Sequence, residues 1–91
     1  MRETFALITG SSSGIGLEIA KRLAARGYSL VLVSNQEEQL KQLQQELSSR
    51  HSVRVELLHI NLARNEAASE VFNFCQQKNL EVEVLVNNAG I

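Results

Sequence analysis

Four short apolar runs divide the chain, and each is separated from the next by a stretch of different periodicity. Residues 5–8 and 30–33 are almost wholly apolar. Residues 53–60 carry Val53, Val55, Leu57, Leu58 and Ile60, and residues 82–86 end in Val84, Leu85 and Val86. Runs this short and this rich in Val, Ile and Leu predict strands buried on both faces. Between them the period changes to that of a helix. Ile15, Ile19 and Leu23 fall at steps of four, with Ala20 and Ala24 beside them, and Gly27 is placed as a left-handed C-cap. Leu40, Leu43 and Leu47 mark a second, Glu/Gln-rich helix. Ala63, Ala67, Val71 and Cys75 mark a third, joined by Ala68 and Phe72. Phe72 and Phe74 cannot share one helix face, and Phe72 is the expected core residue.

The order is strand, helix, strand, helix, strand, helix, strand. Such alternation predicts an α/β fold: a parallel sheet of four strands covered by three crossover helices of right-handed connection. There is no internal repeat and no low-complexity tract.

Composition narrows the functional classes. Ninety-one residues make one small domain or a piece of a larger one. Hydrophobic residues are 44% and charged residues 21%, ordinary globular usage. A net charge of −1 argues against a nucleic-acid partner, which needs a dense basic face. One cysteine excludes an internal disulfide framework. The opening residues lack a signal-peptide apolar stretch, and the apolar runs fall short of a membrane span. A soluble, cytoplasmic protein without a membrane partner is the expectation.

The glycines carry the candidate chemistry. Three of the five stand in Thr9-Gly10-Ser11-Ser12-Ser13-Gly14-Ile15-Gly16, after the first strand and at the opening of the first helix. That is the context of a dinucleotide-binding turn. Gly10 would turn the chain sharply off the strand. Gly14 would admit a pyrophosphate against bare backbone, and Gly16 would let the helix pack closely on the sheet. Free N–H groups and the positive end of the helix would face the phosphates. The competing reading is a structural turn without a ligand.

The G-x-x-x-G-x-G spacing with its leading threonine resembles the short-chain dehydrogenase/reductase family. Leu85-Val86-Asn87-Asn88-Ala89-Gly90-Ile91 resembles that family's second cofactor-side motif, at the expected distance. The resemblance covers essentially the whole chain. It implies a Rossmann-like sheet of order 3-2-1-4, with residues 1–91 as an incomplete NAD(P)-binding domain. The function implied is the N-terminal cofactor-binding part of an oxidoreductase that moves hydride between a nicotinamide and a carbonyl or alcohol. A non-catalytic nucleotide-binding or regulatory module is the alternative.

By resemblance, Gly10, Ser12, Ser13, Gly14, Ile15 and Gly16 form the pyrophosphate and ribose cradle. Asn88, Ala89 and Gly90 line the adenosine side, and Asn87 ties neighbouring strand ends. Asn61 and Leu62 stand where relatives carry Asp-Leu against the adenine, and Asn61 also reads as an N-cap for the third helix. Ser34 and Asn35 stand where ribose specificity is read. No carboxylate is present there to repel a 2′-phosphate, and no arginine to bind one, so the reading leans to NADP over NAD.

The family's catalytic tyrosine and lysine follow the Asn-Asn-Ala-Gly motif. The only tyrosine, Tyr28, has Leu32 four residues on, so no Tyr-x-x-x-Lys is present. The chain by itself is expected to have no catalytic residue and no turnover, with a small-molecule substrate only in a full-length form. Tyr28 is expected to pack at a helix–strand corner. His51 and His59 lack partners at metal-ligand spacing, so no metal is expected, and Cys75 is expected as a buried thiol. The fourth strand is expected at an exposed edge, a route to self-association.

Overall fold

The computed structural model describes residues 3–11 and 14–88. All four expected strands form. In chain order the elements are β1 (Phe5–Thr9), α1 (Gly14–Ala25), β2 (Ser29–Ser34), α2 (Glu37–Arg50), β3 (Val55–His59), α3 (Ala67–Gln77) and β4 (Val82–Asn87). The strands form one sheet of order β3-β2-β1-β4, and every pair is parallel. β1 and β2 are buried along their whole length, as strands covered on both faces must be.

Alternation along the strands divides the core in two. Ala6, Ile8, Leu30, Leu32 and Val55 point to one face, where they meet Ala20 and Ala24 of α1 and Leu40, Leu43 and Leu47 of α2. Phe5, Leu7, Val31 and Val33 point to the other, where they meet Ala67, with Val71, Phe74 and Cys75 of α3 half-buried against them. β4 holds one extra residue against β1: Phe5 pairs with Val82, and Ala6 with Val84. This bulge at Glu83 lets Val82 face α3 while Val84 and Val86 face α1.

The structure corrects several expectations. The buried stripe of α1 is Gly16, Ala20 and Ala24, one residue round from Ile15, Ile19 and Leu23. Ile15 is 70% exposed. Close packing on the sheet selects the small residues, and Ile19 and Leu23 pack at the flank. β3 is shorter than residues 53–60. α3 starts at Ala67, not near Ala63, and its register turns Phe74 inward and leaves Phe72 62% exposed. Cys75 is half-buried rather than buried, and burial pushes its thiol pKa up. Gly27 has φ +94°, the left-handed cap expected of it, and Tyr28 packs beside the α1–β2 corner.

At the N-terminal ends of the strands, charges link segments distant in sequence. Arg54 donates to Glu56 at 2.8 Å and to Glu3 at 3.2 Å, and Lys78 lies 3.3 Å from Glu56. Partial burial works to raise the Glu56 carboxyl, but hydrogen bonds from Arg54 and Lys78 outweigh it and hold it below the ordinary glutamate range. No helix among the described residues is long and apolar enough to cross a membrane.

Candidate functional site

The chain leaves β1 through Gly10, whose φ of +63° is strained for any residue with a Cβ. The Gly10 N–H donates to the Val33 carbonyl at 2.8 Å, which ties the turn to β2. Gly16 then brings the first turn of α1 against that same segment. A Cβ built there would lie 2.3 Å from the Gly10 carbonyl oxygen and 2.8 Å from Asn88 Nδ2. Both contacts lie inside any real Cβ approach, and the first is to backbone. Gly14 also has a positive φ, +62°, but its Cβ position opens onto free space.

Thr9, the last residue of β1, and Asn88, directly after β4, brace this junction. The Asn88 N–H donates to Thr9 Oγ1 at 2.9 Å, and Asn88 Nδ2 donates to the Gly10 carbonyl at 3.2 Å. The Thr9 hydroxyl has two acceptors in reach, the Val86 carbonyl at 3.4 Å and Asn87 Oδ1 at 3.3 Å. Asn87 therefore ties strand ends together. The Asn88 side-chain amide also holds the turn carbonyl against which Gly16 packs. Thr9 was read only as the leading residue of the motif. The signal that could have found it is its place, the last strand residue before Gly10 and level with Asn87.

The first turn of α1 holds no acidic residue. The positive end of its dipole is thus not neutralised by a carboxylate in that turn, which suits an anion. Ser11 is fully buried, and its hydroxyl has no hydrogen-bond partner among the described residues. A buried hydroxyl without a partner costs about 1–3 kcal/mol. Which serine of the Ser11-Ser12-Ser13 run is buried is invisible in the sequence.

The other expected site residues also gather at the C-terminal ends of the strands. Ser34 ends β2, buried, with its hydroxyl accepting the Gln36 N–H at 3.1 Å, and Asn35 follows it exposed. Asn61 and Leu62 follow β3. Asn61 Oδ1 accepts the Ala63 N–H at 2.9 Å, which closes a local turn. Its N-cap reading is thereby corrected, since α3 begins only at Ala67, after Glu66. Ser12, Ser13, Ala89 and Gly90 lie outside the described residues.

These ends open on a groove of about 1230 Å³ that includes Thr9, Gly10, Ser34, Asn35, Asn61 and Asn87. It continues under α3 along Leu7, Val71 and Leu85. Its mouth lies where β1 has β2 on one side and β4 on the other. The connection leaving β1 goes to α1 on one face and that leaving β3 goes to α3 on the other, an arrangement that suits a ligand crevice at the carboxyl ends of an open α/β sheet. Arg64, paired with Glu70, also lines the groove, and the sequence pattern did not single it out.

Comparison with known proteins fits this geometry. The sequence matches the short chain dehydrogenase family over residues 4–91. A very-long-chain 3-oxoacyl-CoA reductase of Pyrenophora tritici-repentis is 39% identical over 94 aligned positions, which cover 99% of this chain and 27% of that protein. Its counterpart in Candida glabrata is 34% identical, over 94% of this chain and 24% of that protein. The chain thus spans about a quarter of the length of these curated relatives. Among solved structures, L-sorbose reductase of Gluconobacter frateurii, complexed with NADPH and L-sorbose, superposes with a TM-score of 0.91 at 37% identity. That match covers 98% of this chain and 34% of the reductase. A short-chain dehydrogenase of Sphingobium yanoikuyae in complex with NADPH gives 0.85 at 38% identity, over 97% of this chain and 34% of that one. With the family match running from β1 through the Asn-Asn-Ala-Gly segment, and the sheet order and glycine turn in agreement, the chain belongs to the short chain dehydrogenase family.

Proposed function

We propose that this chain is the N-terminal dinucleotide-binding part of an NAD(P)-dependent oxidoreductase. The observation that carries the reading is the Gly10–Gly16–Asn88 junction. It spends close backbone approach, a positive φ and a side-chain brace on presenting an acid-free helix start. These features fit a pyrophosphate, which needs exposed N–H groups and no Cβ in its way.

In this reading Gly10, Ser12, Ser13, Gly14, Ile15 and Gly16 hold the pyrophosphate and the adjoining ribose. Asn61 and Leu62 hold the adenine, and Asn88, Ala89 and Gly90 the adenosine side. Ser34 and Asn35 take the 2′ position of the ribose. The preference is for NADP(H), because a carboxylate at the end of β2 would repel a 2′-phosphate and none stands there. NADPH in the two superposed relatives supports the same choice. The bound nicotinamide would supply hydride exchange with a carbonyl or alcohol substrate. The residues of this chain bind and orient the cofactor. With no Tyr-x-x-x-Lys among the 91 residues, the chain alone binds without turnover.

Calorimetric titration of NADPH and NADH into the 91-residue chain tests the binding claim. Saturable binding with NADPH favoured is the expected result, and no heat with either dinucleotide would overturn it. Ser34→Asp should move the preference toward NADH. NADPH-dependent reduction of a carbonyl panel by the same chain, above a no-protein control, would overturn the claim of no turnover.

A further inference from the structure

The cations of the chain fall into two sets. Lys21 pairs with Glu46, Arg54 with Glu3 and Glu56, Arg64 with Glu70, and Lys78 with Glu56. Arg22, Arg26, Lys41 and Arg50 have no carboxylate partner among the described residues. All of this second set but Lys41 stand where α1 and α2 end. Arg22 is in the last turn of α1 and Arg50 in the last turn of α2, and Arg26 directly follows α1.

The two helix ends meet at a cleft of about 270 Å³. Arg22 and Ala25 line it from α1, Arg50 from α2, and His51 from the residue after α2. Lys21 and Glu46 line it too, but they face each other at 3.9 Å and their charges cancel. The helix dipoles do not account for the charge that is left. Each C-terminus carries about half a unit of negative charge, so the two ends offset about one unit, against three arginines. Like charges gathered around one cleft repel each other, and an anion between them relieves that repulsion. Arginine forks suit a compact anion with several oxygens, which they grip through paired N–H donors. At about 30 Å³ for each water of liquid, the cleft has the volume of about nine waters. That is room for a phosphate with a small organic group and too little for a dinucleotide.

We propose that the cleft between the C-terminal ends of α1 and α2 is a second ligand site, which takes the phosphate of a small soluble phosphate monoester between Arg22 and Arg50. Both helices end where the next strand begins, so this site lies at the opposite end of the sheet from the glycine turn. It stands independently of the dinucleotide reading.

The test follows the amide NMR shifts of the 91-residue chain during titration with glycerol 3-phosphate, and with sodium chloride at matched ionic strength. The monoester should move the amides of residues 21–26 and 47–51 saturably, and chloride should not reproduce the effect. Combining Arg22→Gln with Arg50→Gln should weaken that response about five- to tenfold, the scale of two exposed charge contacts. Both residues are exposed, and unchanged amides along the sheet report that the variant folds. Any response at Gly14–Gly16 belongs to the dinucleotide site and should survive in the variant. A response at the cleft that chloride matches, or one that persists at full strength in the double variant, would overturn the site.

Discussion

On the α1–α2 face, Ala6, Ile8, Leu30 and Leu32 lie fully buried beneath two helices, which close over them with Ala20, Ala24, Leu40, Leu43 and Leu47. On the α3 face one helix covers the sheet. Within its span only Ala67 is buried, while Phe72 and, on β4, Leu85 are 62% and 67% exposed. The contrast shows how the fold divides labour. The well-packed face carries the close contact of Gly16 with Gly10. The open face carries the groove that continues from it. A phosphate cradle needs fixed backbone, which dense packing supplies, whereas a groove needs a face that its own helices do not fill.

The contrast can be broken by mutation, and the largest effect should come from the packed face. Leu32→Ala should cost about 2–5 kcal/mol in urea unfolding, the loss of a leucine from a tight core. Phe72→Ala should stay within about 0.5 kcal/mol, as an exposed substitution does. Equal losses would mean the faces are equally packed. Next, Gly16→Ala should cost about 1–3 kcal/mol, because its methyl group meets the Gly10 carbonyl rather than a yielding side chain. A smaller loss would show that the turn can move away from the helix.

A smaller effect should come from Glu56, which ties β3 to the C-terminal end of α3 through Lys78. Its folded pKa is lowered, so its contribution is present above the ordinary glutamate value of about 4.3 and is lost as pH falls through the folded value. Unfolding free energy measured from pH 6 downward should therefore drop more steeply below about pH 4 in wild type than in Glu56→Gln. Identical slopes would detach Glu56 from the holding of α3. The smallest effect on stability should be that of Leu85→Ser. Its readout is association: β4 is an edge strand with an apolar residue exposed on it, and such edges pair. Sedimentation equilibrium of the 91-residue chain should show concentration-dependent self-association that Leu85→Ser reduces. A wild-type chain that stays monomeric at every concentration would remove the edge from consideration.

The parallel sheet and its order were legible because buried strands and amphipathic crossovers differ in period, and Gly27 marked the end of α1. Helix faces were less legible. Counting large apolar residues put Ile15, Ile19 and Leu23 toward the sheet; the close approach at Gly16 was legible from the glycine spacing, but Ala20 and Ala24, which continue it, are a weak hydrophobic signal. In α3 the alanines at 63 and 67 continued one register. The Asn61 side chain instead bonds its own turn and delays the helix, and the sheet contact then runs through Ala67, Val71, Phe74 and Cys75. At the site, the glycine spacing stood out, whereas the brace by Thr9 and Asn88 and the burial of Ser11 arise only from tertiary placement.

The bond from the Asn88 N–H to Thr9 joins residues 79 apart in the chain. The glycine turn is thus written in the first sixteen residues and braced by the eighty-eighth. On the ribosome, where a chain emerges from its N-terminus at roughly 5–20 residues per second, the turn would be synthesised seconds before its brace. A nascent chain would not hold a finished cradle until β4 had emerged and docked beside β1, so nucleotide capture during synthesis would report completion of the sheet rather than appearance of the motif.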